Sequence, residues 1–283
     1  MLNALTIDLE DYYQVTAFAD QSRAKEWQSH ESHVEKNTDK VLGILAASNC
    51  SATFFSLGWV AENYPKLIRR IAEAGHEIAC HSNQHRLVYS MTPEEFREDT
   101  RKAKEILEDA GGVPVLGYRA PSFSITRDSQ WAFEILAQLG FTYDSSIFPV
   151  KHLNYGIPNA PRIPFRVKTR YGPLIEFPLP TLALGNARSP FGGGAYLRLL
   201  PYSFTRWGIR YVNDQEHRSV CVYLHPWELD TEQPRMVGSF TARARHYFGL
   251  KGTEAKLRRL LNEFRFGTLS SIILRLDPLD IDL

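Results

Sequence analysis

The chain has 283 residues, 43% of them hydrophobic, enough for one large domain or two small ones around a sizeable core. Its 33 Lys+Arg stand against 32 Asp+Glu, a formal charge of +1, so no polyanion-binding surface is advertised and nucleic acid is not an expected partner. Three cysteines, Cys50, Cys80 and Cys221, each lie in an apolar run, which argues for buried free thiols in a reducing compartment and against a disulfide framework.

The first strand is expected over residues 4–8, with no basic stretch and apolar segment ahead of it. Nowhere do ~18 apolar residues follow one another. A cytoplasmic location is therefore expected. Short apolar runs at 52–56, 77–79, 116–118, 141–143 and 220–223 predict further strands, and segments of helical period at 39–47, 65–74, 93–110, 128–139 and 202–214 predict the helices between them. Alternation of this kind means α/β with a mostly parallel sheet or barrel. The helix at 93–110 carries its own boundaries: Thr92 as N-cap, Pro93 in the first turn, Glu95 completing a capping box, and Gly111-Gly112 closing the far end.

Residues 150–201 are rich in Pro and Gly. Within them 163–167 and 174–177, separated by Tyr171-Gly172-Pro173, predict a hairpin inserted on the sheet, and Phe191-Gly192-Gly193-Gly194-Ala195-Tyr196 reads as a turn. A basic amphipathic helix is expected between Gly252 and Phe264, packed on the body with its charges in water. We find no internal repeat and no low-complexity segment.

Chemistry-bearing residues fall at the strand ends, where open α/β sheets and barrels place their sites. Asp8 ends the first strand, His81 follows the third, Arg119 the fourth, Asp144 the fifth and His225 the last. Each alone has an ordinary structural explanation, as a salt bridge, a turn former or a core histidine. Five on five consecutive strand ends do not. The spacing His81-Ser82-Asn83-Gln84-His85, with the acidic cluster Asp8-Leu9-Glu10-Asp11, supplies the two imidazoles and one carboxylate of a single divalent-metal site. Glu10 and Asp11 both remain candidates for the carboxylate ligand, the first from alternation along an extended strand, the second if the chain turns after Leu9.

With these residues in place the chain resembles the polysaccharide deacetylases of NodB-homology type, carbohydrate esterase family 4. The pieces that match are Thr6-Ile7-Asp8-Leu9-Glu10-Asp11, His81-Ser82-Asn83-Gln84-His85, Arg119-Ala120-Pro121, the Asp144 strand end and Leu224-His225, supported by Ala52-Thr53-Phe54-Phe55 and Ala74-Gly75-His76-Glu77-Ile78-Ala79, in order over about residues 4 to 227. The Asp8-Leu9-Glu10-Asp11-Tyr12 start, Gly192-Gly193-Gly194-Ala195-Tyr196 and His225-Pro226-Trp227-Glu228 further resemble a subgroup associated with exopolysaccharide and exosortase systems, which has a C-terminal extension.

The resemblance implies a distorted (β/α) barrel with parallel strands, a hairpin insertion and a C-terminal helical extension. It implies a single catalytic domain over 1–283, with the deacetylase motifs at 4–227, the insertion at 150–201 and the extension at 228–283. It implies a metal-dependent hydrolase that removes N-acetyl groups from amino sugars of a bacterial polysaccharide or its lipid-linked precursor. In its terms Asp8 is the base, Arg119 pairs with Asp8, His225 is the general acid with Asp144 as its neighbouring carboxylate, and a backbone N–H near Ser122-Phe123 assists the oxyanion. The metal would be zinc first, with cobalt or nickel next. The usual family motif has two adjacent aspartates, and Leu9 after Asp8 departs from it. Tyr12, Tyr13, Phe123 and Trp227 are candidates for stacking on sugar rings. The partner is an N-acetylated glycan, with peripheral association to a membrane exopolysaccharide assembly system as a further expectation. The competing readings are an O-acetyl esterase on the same scaffold, a metal-independent amidohydrolase of related fold, which would lack His81 and His85, and an inactive carbohydrate-binding domain, which would have lost Asp8, Arg119 or His225.

Overall fold

The computed structural model describes residues 1–19, 24–152, 154–185 and 187–281. In chain order the elements are β1 (Leu2–Leu9), α1 (Val34–Ala47), β2 (Thr53–Ser56), α2 (Gly58–Asn63), α3 (Pro65–Glu73), β3 (Glu77–Cys80), α4 (Pro93–Gly111), β4 (Gly117–Tyr118), α5 (Ala132–Gln138), β5 (Tyr143–Asp144), β6 (Phe165–Val167), β7 (Leu174–Glu176), β8 (Thr181–Leu184), β9 (Ala187–Pro190), α6 (Gly194–Leu199), α7 (Tyr202–Asp214), β10 (Cys221–Leu224), α8 (Phe240–Tyr247), α9 (Leu250–Glu263), β11 (Arg265–Gly267), α10 (Leu269–Ile273) and β12 (Leu279–Ile281). The main sheet runs β10-β1-β2-β3-β4-β5-β7-β6-β12, with β11 also on β1; only β6 and β7 pair antiparallel, as the expected hairpin. A separate ribbon joins β8 and β9.

The sheet curls strongly. β4 and β10 lie four strand spacings apart, about 19 Å in a flat sheet, yet Arg119 just past β4 donates to Asp8 Oδ1 on β1 at 2.7 Å and to Cys221 Sγ on β10 at 3.3 Å. One face is therefore enclosed. It holds a small cluster that includes Ala4, Phe55, Ala79, Tyr143, Phe177 and Cys221, closed from below by Leu269, Ile272 and Ile273 of α10. The outer face carries Leu9, Cys80 and Tyr118 into the larger core beneath the helices.

The register decides which face each site residue takes. In-register partners on parallel strands share a face, and the next residue takes the other. Asp8 is level with Phe55 and Ala79, on the enclosed face, and His81 and Arg119 come one residue after Cys80 and Tyr118, which face outward. Asp144 is in register with Tyr118 and with Glu176, so it belongs to the outward set.

Helix α4 has the expected box, Thr92 Oγ1 accepting from Glu95 N at 3.2 Å while Glu95 accepts from Thr92 N, and Gly112 caps the far end in the left-handed region. Helix α1 begins five residues earlier than periodicity predicts, because its start is fixed by a distant side chain. Oδ2 of Asp11 accepts from His33 N at 2.8 Å and Val34 N at 3.0 Å. Helix α9 packs on the body as expected, burying Leu250, Leu257 and Leu260, and Lys256 Nζ reaches the carbonyls of Leu197, Arg198 and Leu200 at the end of α6. The cysteines are free, Cys80 and Cys221 buried. Among the described residues no helix is long and apolar enough to cross a membrane.

Candidate active site

The segment after β3 holds its two histidines on an unusual backbone. Ser82 and His85 both have positive φ, 67° and 53°, a region that costs a side-chain-bearing residue energy and persists only when surroundings enforce it. Here they do. Ser82 and Asn83 carbonyls accept from Gly58 N at 2.9 Å and Trp59 N at 3.0 Å, Asn83 N donates to Asp99 on α4, and His85 N donates to Ser82 Oγ at 3.0 Å. Gly58 is required in this clamp, since a Cβ there would stand 2.5 Å from Asn83 Oδ1 and 2.9 Å from Ala103 Cα.

Just past β1 the chain turns tightly, Glu10 N bonding back to Asp8 O at 3.1 Å, and Glu10 faces the histidines. Ligand atoms of Glu10, His81 and His85 all lie within 4.8 Å of one another, and all three residues are buried. Their donor set fits a divalent cation. His81 Nδ1 bonds the Arg119 carbonyl at 2.8 Å, which fixes that ring's orientation and leaves Nε2 for a ligand. Burial holds the His81 pKa down at about 4, so the ring is neutral. Burial resists charge on Glu10 as well, but His85 and the other nearby histidines outweigh it and hold the carboxylate at about 2. Trp227 Nε1 donates to Glu10 Oε1 at 3.3 Å, whereas Oε2 is buried without a hydrogen-bond partner, 2.9 Å from His85 Nε2. A buried, ionised oxygen left unpaired is costly. A cation shared with His85 would satisfy it.

Asp11, the other candidate ligand, is elsewhere. Its Oδ1 accepts from Tyr12 N and its Oδ2 from Ser32 Oγ, His33 N and Val34 N, so one oxygen serves the adjoining backbone and the other the start of α1. The turn after Leu9 separates neighbours that the sequence alone leaves equivalent.

Beside the triad, Asp8 Oδ1 accepts from Arg119 Nη1 at 2.7 Å, and both side chains are buried. The Arg119 guanidinium also reaches Thr6 Oγ1, Ser145 O and Ser145 Oγ and lies 4.1 Å over the Phe55 ring, so its charge is fully engaged. His225, just past β10, places Nε2 3.5 Å from Glu10 Oε1 and 3.9 Å from Asp8 Oδ2.

The carboxylate at His225 is Glu228 and not Asp144. Glu228 Oε2 accepts from His225 N at 2.9 Å and stands 3.1 Å from Nδ1, while Arg198 Nε donates to Oε1 at 2.5 Å. Burial opposes ionisation of Glu228, yet Arg198 and His225 hold its pKa down at about 2. Burial likewise opposes charge on His225, but Glu228, then Glu10 and Asp8, push its pKa up to about 9. Asp144 sits on the outward face, accepting from Ser146 N and Oγ, and shares its surroundings with Glu176, whose own pKa burial and Asp144 raise well above the ordinary range. The spacing of Glu228 three residues after His225 was the available signal. Arg198 had none.

Two further expectations are corrected and one is narrowed. Tyr12 and Tyr13 are 1% exposed and pack in the core, so only Phe123 and Trp227 of the four aromatics line the cleft. Of the backbone N–H groups near Ser122-Phe123, that of Phe123 donates to Ala120 O at 3.0 Å, which leaves that of Ser122 as the oxyanion candidate. The glycine turn is more than a turn: a Cβ on Gly193 would stand 2.2 Å from Tyr223 O, so these glycines let the start of α6 press against β10 two residues before His225. The resulting cleft, of about 270 Å³, has Asp8, Glu10, His81, His85 and His225 among its walls, together with Arg198 and part of α8.

A family model described as polysaccharide deacetylase matches residues 20–143, and one described as a domain of unknown function (DUF3473) matches residues 145–274. A Bacillus cereus peptidoglycan-N-acetylglucosamine deacetylase is 36% identical over 98 residues, covering 34% of this chain and 36% of the relative; a Bradyrhizobium chitooligosaccharide deacetylase is 34% identical over 73 residues, 26% and 33% respectively. The match thus spans about a third of the length of these relatives. The fold is shared with a Mycobacterium smegmatis structure assigned as a polysaccharide deacetylase (TM-score 0.63, 22% identity, 100% of this chain and 93% of the other) and with PuuE allantoinase (0.61, 16%, 96% and 88%). With its motifs in order around one cleft, the chain carries a polysaccharide deacetylase domain of NodB-homology type, carbohydrate esterase family 4, matched over residues 20–143, followed by DUF3473 as its C-terminal part.

Proposed function

We propose that this chain is a metal-dependent deacetylase that hydrolyses N-acetyl groups on amino sugars of a bacterial polysaccharide or its lipid-linked precursor. One observation carries the reading: Glu10, His81 and His85 converge beside Asp8 and His225 in a single cleft. The names of the relatives, a peptidoglycan-N-acetylglucosamine deacetylase and a chitooligosaccharide deacetylase, support an N-acetylglucosamine-containing glycan. An exopolysaccharide, handled beside a membrane assembly system, is the substrate that the subgroup resemblance favours. We read residues 1–283 as one catalytic domain, because β1 pairs both with β2 and with β10 and β11 of the C-terminal part.

Amide hydrolysis needs an activated water, a stabilised oxyanion and a protonated leaving amine. A divalent cation held by Glu10, His81 and His85, zinc first, would supply Lewis-acid charge for the first two. Asp8 is the base: Arg119 occupies Oδ1 and fixes the carboxylate, leaving Oδ2 to accept the water proton. His225 is the acid. Glu228 takes Nδ1 and keeps the ring charged, so Nε2 presents a proton on the cleft side, 3.9 Å from Asp8 Oδ2.

The deciding measurement is acetate released from N-acetylglucosamine oligomers and bacterial exopolysaccharide, with and without chelator and added zinc, cobalt or nickel. Chelator-sensitive release restored by one of these metals is expected. Release that survives chelation with the metal removed overturns the metal assignment, and release only from O-acetylated substrates makes the chain an esterase.

A further inference from the structure

Helix α8 meets the body through a mixed face, with Ala242 and Tyr247 packed against the core and polar groups beside them. Among the polar groups, His246 bonds Gln233 at 2.7 Å and stacks on Trp227 at 4.1 Å, and Arg198 Nη1 takes the carbonyls of Arg245, His246 and Phe248 at 2.9 Å each. Two phenylalanines, Phe240 on the helix and Phe248 just past its end, point to water. Phe240 is 86% exposed and Phe248 67%, spaced with exposed Ala244 at i, i+4 and i+8 on one stripe, and Val237 just ahead is 76% exposed.

Charge around this stripe is one-sided. Residues 233–252 contain Arg235, Arg243, Arg245 and Lys251 and no acidic residue, in a chain whose net charge is only +1. All four are exposed, and among the described residues none is in an ion pair. We infer that α8 and its flanking turns dock on an anionic lipid bilayer. Phe240, Phe248 and Val237 would enter the headgroup boundary while the four cations meet anionic lipid, the pairing of two weak signals that stable peripheral binding requires. A second copy of the chain is disfavoured by charge, because a two-fold contact through this face sets the four cations against their own copies. Ala242, Arg245 and His246 of the same helix line the cleft, so docking would bring its mouth to the headgroups.

The test is flotation of the whole chain with vesicles of phosphatidylglycerol and phosphatidylcholine, and with phosphatidylcholine alone, and it does not depend on the deacetylase reading. Binding to the anionic vesicles is expected, falling about tenfold or more in Phe240→Ser/Phe248→Ser and in Arg243→Glu/Lys251→Glu. Hydrolysis of a soluble chitooligosaccharide and thermal melting should be unchanged in both variants, whose altered side chains lie in water. Failure to bind any vesicle overturns the inference. So does equal binding to neutral and anionic vesicles, or a dimer in solution that the Phe240→Ser/Phe248→Ser variant dissolves.

Discussion

Glu228 Oε2 lies 3.1 Å from His225 Nδ1 and also accepts the His225 backbone N–H, so a single carboxylate sets the orientation and the charge of this ring. A histidine pushed up to about 9 carries its proton at neutral pH. Without Glu228 the remaining influences are burial, which lowers the value, and the weaker pull of Glu10 and Asp8.

Glu228→Gln should therefore move the alkaline limb of the pH–kcat profile on an acetamide to lower pH. His225→Ala should cost ~10²–10⁴-fold on the acetamide and much less on an activated aryl acetate, whose leaving group needs no proton. Metal content should stay at the parent level in both variants. Equal losses of His225→Ala on the two substrates would assign that ring to binding.

The acidic cluster separates into three roles by measurement. Glu10→Gln, His81→Ala and His85→Ala should lose the metal on dialysis while folding as the parent does. Asp8→Asn should retain metal and lose turnover. Asp11→Asn should retain both metal and turnover but unfold more easily, by about 1–3 kcal/mol, because charge-assisted bonds to the start of α1 are removed. Metal loss in Asp11→Asn at undiminished stability would reverse the assignment.

The Asp144–Glu176 pair gives a stability prediction. Both folded pKa values are raised, burial being the largest cause for each, above unfolded values of roughly 4. Raised values mean that the folded chain binds more protons than the unfolded one, so this contribution is fully present below about pH 4 and is lost as pH rises through the folded values. Glu176→Gln replaces the proton-bearing carboxyl by a permanent donor that can still accept from Ile147 N. Its melting temperature should exceed the parent's at alkaline pH, with the gap closing as pH falls towards 4. A gap independent of pH would show that the pair does not share a proton.

Gly58→Ala should destabilise the histidine-bearing segment, by about 1–3 kcal/mol for an overpacked site, since the added methyl meets Asn83 and the backbone of Ala103. Metal affinity should fall with stability in this variant, although it touches no ligand. Unchanged affinity would mean that Ser82 and His85 keep their positive φ without the α2 clamp.

The sequence by itself determined the strand-end positions of Asp8, His81, Arg119 and His225, because short apolar runs mark where buried strands stop, and it determined α4, whose caps are local. The tertiary structure decided the rest. Whether Glu10 or Asp11 faces the histidines depends on one tight turn and on donors from residues 32–34. Whether Asp144 or Glu228 serves His225 depends on strand register, and one residue of register is one whole face of the sheet. Arg198 reaches Glu228 from 30 residues away. The polar anchorage that turns Phe240 and Phe248 outward is likewise long-range: His246 and Arg198 hold α8, and no local pattern states which of its faces meets the body.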